Sequence, residues 1–165
     1  MDQTTPEKIA EVAHRLSCRS VAYTYNDPVI FLEYAVDVAQ ACRARNIKSV
    51  AVTAGYICAQ ARKEVFSYMD AVNVDLKAFS EGFYRRLCSG QLRAILDTLI
   101  YIKHHTQVWL EITTLLIPDK MMTLKNSMHL ARGSIVIWAL KSHCTLRHFI
   151  RIISSTISQE PHIKP

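Results

Sequence analysis

KSVAVTAGYICAQARKEVFSYMDAVNVDL (48–76) decides the fold. Its first six residues are Val-rich and end on Thr53, a turn follows at Gly55, and residues 58–69 carry a helical pattern before a second β-branched run at 71–76. A strand, a helix and another strand within thirty residues is a βα unit, whose strands lie parallel. The same alternation extends both ways. Downstream, helical patterns at 80–88 and 91–104 lead to VWLEITTLLI (108–117). Upstream, Thr5-Pro6-Glu7 reads as an N-cap, a first-turn proline and a dipole-compensating acid, opening a helix over 6–17. SVAYTY (20–25) is the next strand, and Asn26-Asp27-Pro28 ends it, with Asp27 placed to cap a helix from Pro28 to about Arg45. The class is α/β. Short, mostly apolar strands fit an open or partial parallel βα barrel, with a flavodoxin-like open sheet as the second choice.

Parallel βα sheets place their sites at the carboxyl ends of the strands. Four groups stand there: Tyr25-Asn26-Asp27, Thr53 with Gly55, Asp75 with Lys77, and Glu111 with Thr113. Period-two alternation puts Val72, Val74 and Leu76 on one face and Asn73, Asp75 and Lys77 on the other, and likewise sets Leu110 and Ile112 against Trp109, Glu111 and Thr113. Charges on a barrel's inner face must pair with each other or hold a ligand. The alternative to a ligand is an ion-pair network that merely satisfies itself. His14, His104 and His105 read as solvated or helix-capping, Arg85-Arg86 as a solvated helix face, and Trp109 as barrel filling.

Half of the 165 residues are hydrophobic and about a fifth are charged, which suits one globular domain with a real core. No stretch of about twenty apolar residues appears and the amino-terminal start is polar, so no membrane segment or signal peptide is expected and the expected location is cytoplasmic. Cys18, Cys42, Cys58, Cys88 and Cys144 lie far apart, without CxxC or CxxxCxxC spacing; each is expected to be a free, small buried hydrophobe. The net charge of +6 is uneven. Residues 1–118 hold 13 Lys/Arg against 12 Asp/Glu, whereas 119–165 hold 7 against 2, so the near-neutral body gives no nucleic-acid signature.

The strings CRSVAYTYNDPVIFLEYAVDVA (18–39), VAVTAGYI (50–57), DAVNVDLKAFSEGFYRRLC (70–88) and LDTLIYIKHHTQVWLEITTLLIP (96–118) resemble the radical S-adenosylmethionine enzymes of the AmmeMemoRadiSam system, relatives of the pyruvate formate-lyase activating enzyme. The match runs in order over residues 6–118. It implies a partial βα barrel that binds a [4Fe-4S] cluster and S-adenosylmethionine, which is cleaved reductively to a 5′-deoxyadenosyl radical. Carried over, Tyr25, Asn26 and Asp27 occupy the loop facing the cofactor's methionine amino group, in a YND version of a motif that is GGE in many members. Thr53 and Gly55 match the next strand's turn, and Asp75 and Lys77 match a DLK motif expected near the methionyl or ribose end.

The family's CxxxCxxC loop precedes the first helix of the match and does not occur in this sequence, and Cys18 is not a cluster ligand. The expectation is therefore a central piece of the core domain over 1–118, with Met1 an internal start or the gene broken, inactive alone. After Pro118 the periodicity fails, and the family's continuation through PLHFTAF.PDYK is absent. Reading the codons of 142–154 one base back allows SHCTLRHFIRIIS to encode PLHFTAFYPDYK, and the same shift turns KMMTLKNSMHLA into NDDAEKFDAF. Residues 119–165 are accordingly expected to be an aberrant, frameshifted tail that packs poorly. Two other readings stand beside this one: a Schiff-base aldolase using Lys77 with Asp75 or Glu111 as proton carrier, and a non-functional remnant. The substrate, protein or small molecule, is not legible; neither nucleic acid nor membrane is an expected partner.

Overall fold

The computed structural model describes residues 4–116 and 148–154. Five strands follow one another in a single parallel sheet: β1 (Ser20–Tyr23), β2 (Lys48–Thr53), β3 (Ala71–Asp75), β4 (Trp109–Leu116) and β5 (His148–Ser154). Spatial order equals sequence order, as in a barrel that is still open; the strand-order reversal of a flavodoxin-like sheet is absent among the described strands. Register runs from Ser20 opposite Lys48, through Val50 opposite Ala71 and Ala71 opposite Trp109, to Leu110 opposite His148.

The connecting helices are α1 (Pro6–Arg15), α2 (Leu32–Arg43), α3 (Ala59–Tyr68), α4 (Glu81–Leu87) and α5 (Leu92–His105). α1 packs on α2, α2 on α3, and both α3 and α4 on α5, giving a helical layer over one face of the sheet. Thr5 caps α1 by accepting the Lys8 N–H at 3.3 Å, with Pro6 in the first turn. α5 drives Ile95, Leu99 and Ile102 into full burial, each contributing about 1.5–3 kcal/mol relative to exposure. They meet Val72, Val74, Leu110 and Ile112 in one apolar cluster, while Asn73, Asp75, Glu111 and Thr113 on the opposite face are only half-buried. The expected alternation is thus the real one, but the charges on the inner face keep partial contact with solvent.

Two expectations need correction. The helix expected from Pro28 begins at Leu32, because Asp27 Oδ1 accepts the Val29 N–H at 3.1 Å and the same carboxylate is held by the neighbouring strand, leaving 28–31 as a turn. Among the described residues only Cys42 is a buried thiol; Cys18, Cys58 and Cys88 are exposed, since each stands at an element end rather than on a core-facing position. Cys144 lies outside the described residues. β5 was not anticipated, and it falls within the segment where the sequence pattern fails.

Candidate functional site

The carboxyl ends of β1, β2 and β3 carry two side-chain groupings. In the first, the Asp27 carboxylate accepts Thr53 Oγ1 at 2.8 and 3.0 Å and the Ala54 N–H at 2.8 Å. Thr53 Oγ1 in turn accepts the Gly55 N–H at 3.0 Å. Gly55 has φ +74°, and a Cβ there would come within 3.0 Å of Val74 Cγ1, so both the turn and its packing call for glycine. Tyr25 and Asn26 are exposed at the rim, with Tyr25 in the left-handed region at φ +69°. A tyrosine held there stores backbone strain.

In the second grouping, Lys77 Nζ donates to Asp75 Oδ2 at 2.6 Å. Their side chains are 33% (Asp75) and 45% (Lys77) exposed, so this is a solvated pair of modest energy and not the buried network that alternation suggested. The Lys77 N–H donates to the Tyr84 hydroxyl oxygen at 3.0 Å, and burial pushes the Tyr84 phenol up to about 12.

Asp75 and Lys77 edge a cavity of about 560 Å³ whose other walls are Ala54, Tyr56, Phe83, Tyr84, Ile95 and the Leu87–Gly90 turn. That volume lies in the range that accepts drug-sized ligands. Its aromatic and aliphatic walls suit a flat or apolar group, and the ion pair at its edge suits a zwitterionic head. Of the residues expected at the site, Thr53, Gly55 and Asp27 form one hydrogen-bonded unit, and Asp75 and Lys77 line the cavity. Tyr25 and Asn26 stand exposed at the carboxyl-end rim of the sheet, after β1, and do not line the cavity. Glu111 and Thr113 lie on the sheet's inner face, where Thr113 Oγ1 accepts Asn73 Nδ2 at 2.7 Å, and neither lines the cavity. Trp109 shares that face and is 41% exposed.

Sequence reasoning missed the α4 wall. Phe83 and Leu87 lie on α4 and Tyr56 on the loop after β2, all beyond the strand ends; large apolar side chains at Tyr56 and Leu87, more than half exposed, are the signal that could have found them.

An iron–sulfur cluster needs three convergent thiolates. Among the described residues no three His, Cys, Asp or Glu come together, so these residues do not fit a cluster. S-adenosylmethionine carries a zwitterionic methionyl head and a flat adenine, and the cavity with its charged edge has groups of both kinds. No helix among the described residues is long and apolar enough to cross a membrane.

No protein-family model matches the chain. An uncharacterized protein of Methanocaldococcus jannaschii is 33% identical over 117 residues, which cover 71% of this chain and 34% of that protein. The chain thus spans about a third of the length of that relative. Among solved structures, SuiB of Streptococcus suis bound to S-adenosylmethionine superposes with a TM-score of 0.68 at 13% identity, covering 97% of this chain and 36% of that one. A domain of the pyruvate-formate lyase-activating enzyme from Bacteroides vulgatus superposes at 0.61 and 19% identity, covering 68% and 69%. The chain therefore has the fold of radical S-adenosylmethionine enzymes, a partial parallel βα barrel.

Proposed function

We propose that the chain is the central part of a radical S-adenosylmethionine enzyme of the AmmeMemoRadiSam type. The observation that carries this reading is the cavity edged by Asp75 and Lys77, beside the Asp27–Thr53 unit, at the carboxyl ends of the strands of a fold shared with SuiB bound to S-adenosylmethionine. On this reading Asn26 and the Asp75–Lys77 pair hold the methionyl head, Tyr56 and Phe83 lie against the flat group, and Glu111 and Thr113 face the barrel interior, where a substrate would enter. When bound beside a reducing cluster, the cofactor supplies a 5′-deoxyadenosyl radical. This chain's residues bind and orient it.

The described residues do not fit the cluster, so the chain on its own is proposed to be inactive. The same reading takes residues 119–165 as translated out of frame, and β5 is compatible with that. HFIRIIS is β-branched and aromatic, and such a run pairs with an open sheet edge through backbone hydrogen bonds whatever its side chains were selected for.

Calorimetric titration tests the cofactor reading. S-adenosylmethionine should bind with one-to-one stoichiometry, weakened by Asp75→Ala and Asn26→Ala; a folded protein that takes up none would refute it. Anaerobic reconstitution with iron and sulfide should give no stable cluster and no 5′-deoxyadenosine, and formation of both would overturn the inactivity.

A further inference from the structure

The Asp27 carboxylate accepts from Val29 N, Thr53 Oγ1 and Ala54 N, at 2.8–3.1 Å, across two different loops. Thr53 Oγ1 passes the connection on by accepting Gly55 N at 3.0 Å. The rim residues Tyr25 and Asn26 lie just before Asp27, and Tyr56 of the cavity wall lies just after Gly55. From this geometry we infer that Asp27 is a positioning residue: it locks the loop after β1 to the turn after β2, so that rim and cavity wall move as one unit. The inference rests on the cofactor reading for what is being positioned, not for the lock itself.

The physical reasons are local. Both carboxylate oxygens are already engaged by protein donors, two of them backbone amides. A carboxylate so engaged is a poor choice for the direct ligand of an ammonium group, and hydrogen bonds to a charged acceptor are the strong ones. The backbone beside it is strained at Tyr25 (φ +69°), a conformation that persists only where its surroundings fix it. Gly55 is fixed from the other side by Val74 and Ile95, both buried. The lock thus couples a strained rim to a rigid core.

Amide hydrogen exchange and calorimetry on the whole chain test this together. Asp27→Asn keeps one acceptor oxygen but turns an amide N–H₂ toward a backbone donor, so exchange at Ala54 or at Val29, whichever faces the amide nitrogen, should rise roughly tenfold or more, the factor expected for losing a charge-assisted hydrogen bond. Thr53→Val should do the same at Gly55, whereas Thr53→Ser, which restores the hydroxyl, should exchange as wild type. Both losses should weaken S-adenosylmethionine binding by similar factors, and the double variant should be no worse than the weaker single one, since both remove the same lock. Unchanged exchange in Asp27→Asn and Thr53→Val overturns the lock. Faster exchange with unaltered binding, or losses that multiply in the double variant, overturns the positioning role and marks Asp27 as a direct ligand or a bystander. If wild type binds no S-adenosylmethionine, the cofactor reading is what fails, and exchange alone decides the lock.

Discussion

Gly55→Ala is the sharpest stability test of the strand-end geometry. The added Cβ would stand 3.0 Å from Val74 Cγ1, 3.4 Å from Ile95 Cγ2 and 3.9 Å from Thr98 Cγ2. Val74, Ile95 and Thr98 are at most 1% exposed and all are β-branched, so none can swing aside to another rotamer cheaply. The left-handed backbone at φ +74° costs an L-residue about 1–2 kcal/mol. Overpacking adds about 1–3 kcal/mol. Against these, alanine restricts the unfolded chain and returns about 0.4–1 kcal/mol. The net expectation is a loss of about 1–4.5 kcal/mol, a large part of the roughly 5–15 kcal/mol that holds a domain folded. Chemical denaturation followed by circular dichroism reads it as a lower midpoint at unchanged slope. Gly82→Ala is the control: it lies within α4, its Cβ would meet nothing nearer than Arg86 Nη2 at 3.7 Å, and it should stabilise by about 0.5–1 kcal/mol. A Gly55→Ala midpoint within about 0.5 kcal/mol of wild type would refute the argument, because surface-like tolerance is what a misplaced turn would show.

Asp70 accepts Lys48 Nζ at 2.8 Å and the Ser49 N–H at 2.9 Å. Burial pushes its carboxyl up, but those two donors outweigh it and hold it below the usual range. A depressed folded-state value contributes stability above the unfolded value of about 3.9 and loses it as pH falls through the folded one. Denaturation from pH 7 to 2 should therefore show an acid limb that Asp70→Asn flattens, and an unchanged limb would contradict the pairing. Thiol alkylation of native protein should label Cys18, Cys58 and Cys88 quickly and Cys42 only on unfolding, since Cys42 is fully buried and burial raises its thiol; mass spectrometry of digests reads each site. Borohydride reduction with pyruvate should leave the mass at Lys77 unchanged, because the side chain is 45% exposed and beside a carboxylate, the opposite of the desolvation or neighbouring cation that activates a Schiff-base lysine; an adduct there would favour the aldolase alternative.

The strands and helices through residue 116 were legible because hydrophobic periodicity switches cleanly between two and 3.6 from one element to the next. Val72, Val74, Leu110 and Ile112 announce their face by parity alone, and Thr5-Pro6 announces its helix by capping chemistry. The start of α2 was not legible. Asp27 looks like a helix cap in sequence, yet its carboxylate is drawn to Thr53 and Ala54, 26 and 27 residues away, and no local rule contains that competition. The cavity's α4 wall was hidden for a similar reason. Tyr56 and Leu87 come to line one cavity only when α4 folds back over the strand ends. The exposed cysteines escaped because a thiol's burial depends on which side of an element end it falls.

On the proposed reading, the strand ends of β1 to β3 bind S-adenosylmethionine. Titrating the isotopically labelled chain with that molecule while recording backbone amide resonances tests it most directly. Saturable shifts are expected at Asn26, Ala54, Gly55, Tyr56 and Lys77, with the amino-terminal ends of the same strands, Lys48 and Ala71 among them, left unmoved. Shifts confined to that opposite end, or none at all in a folded chain, would contradict it.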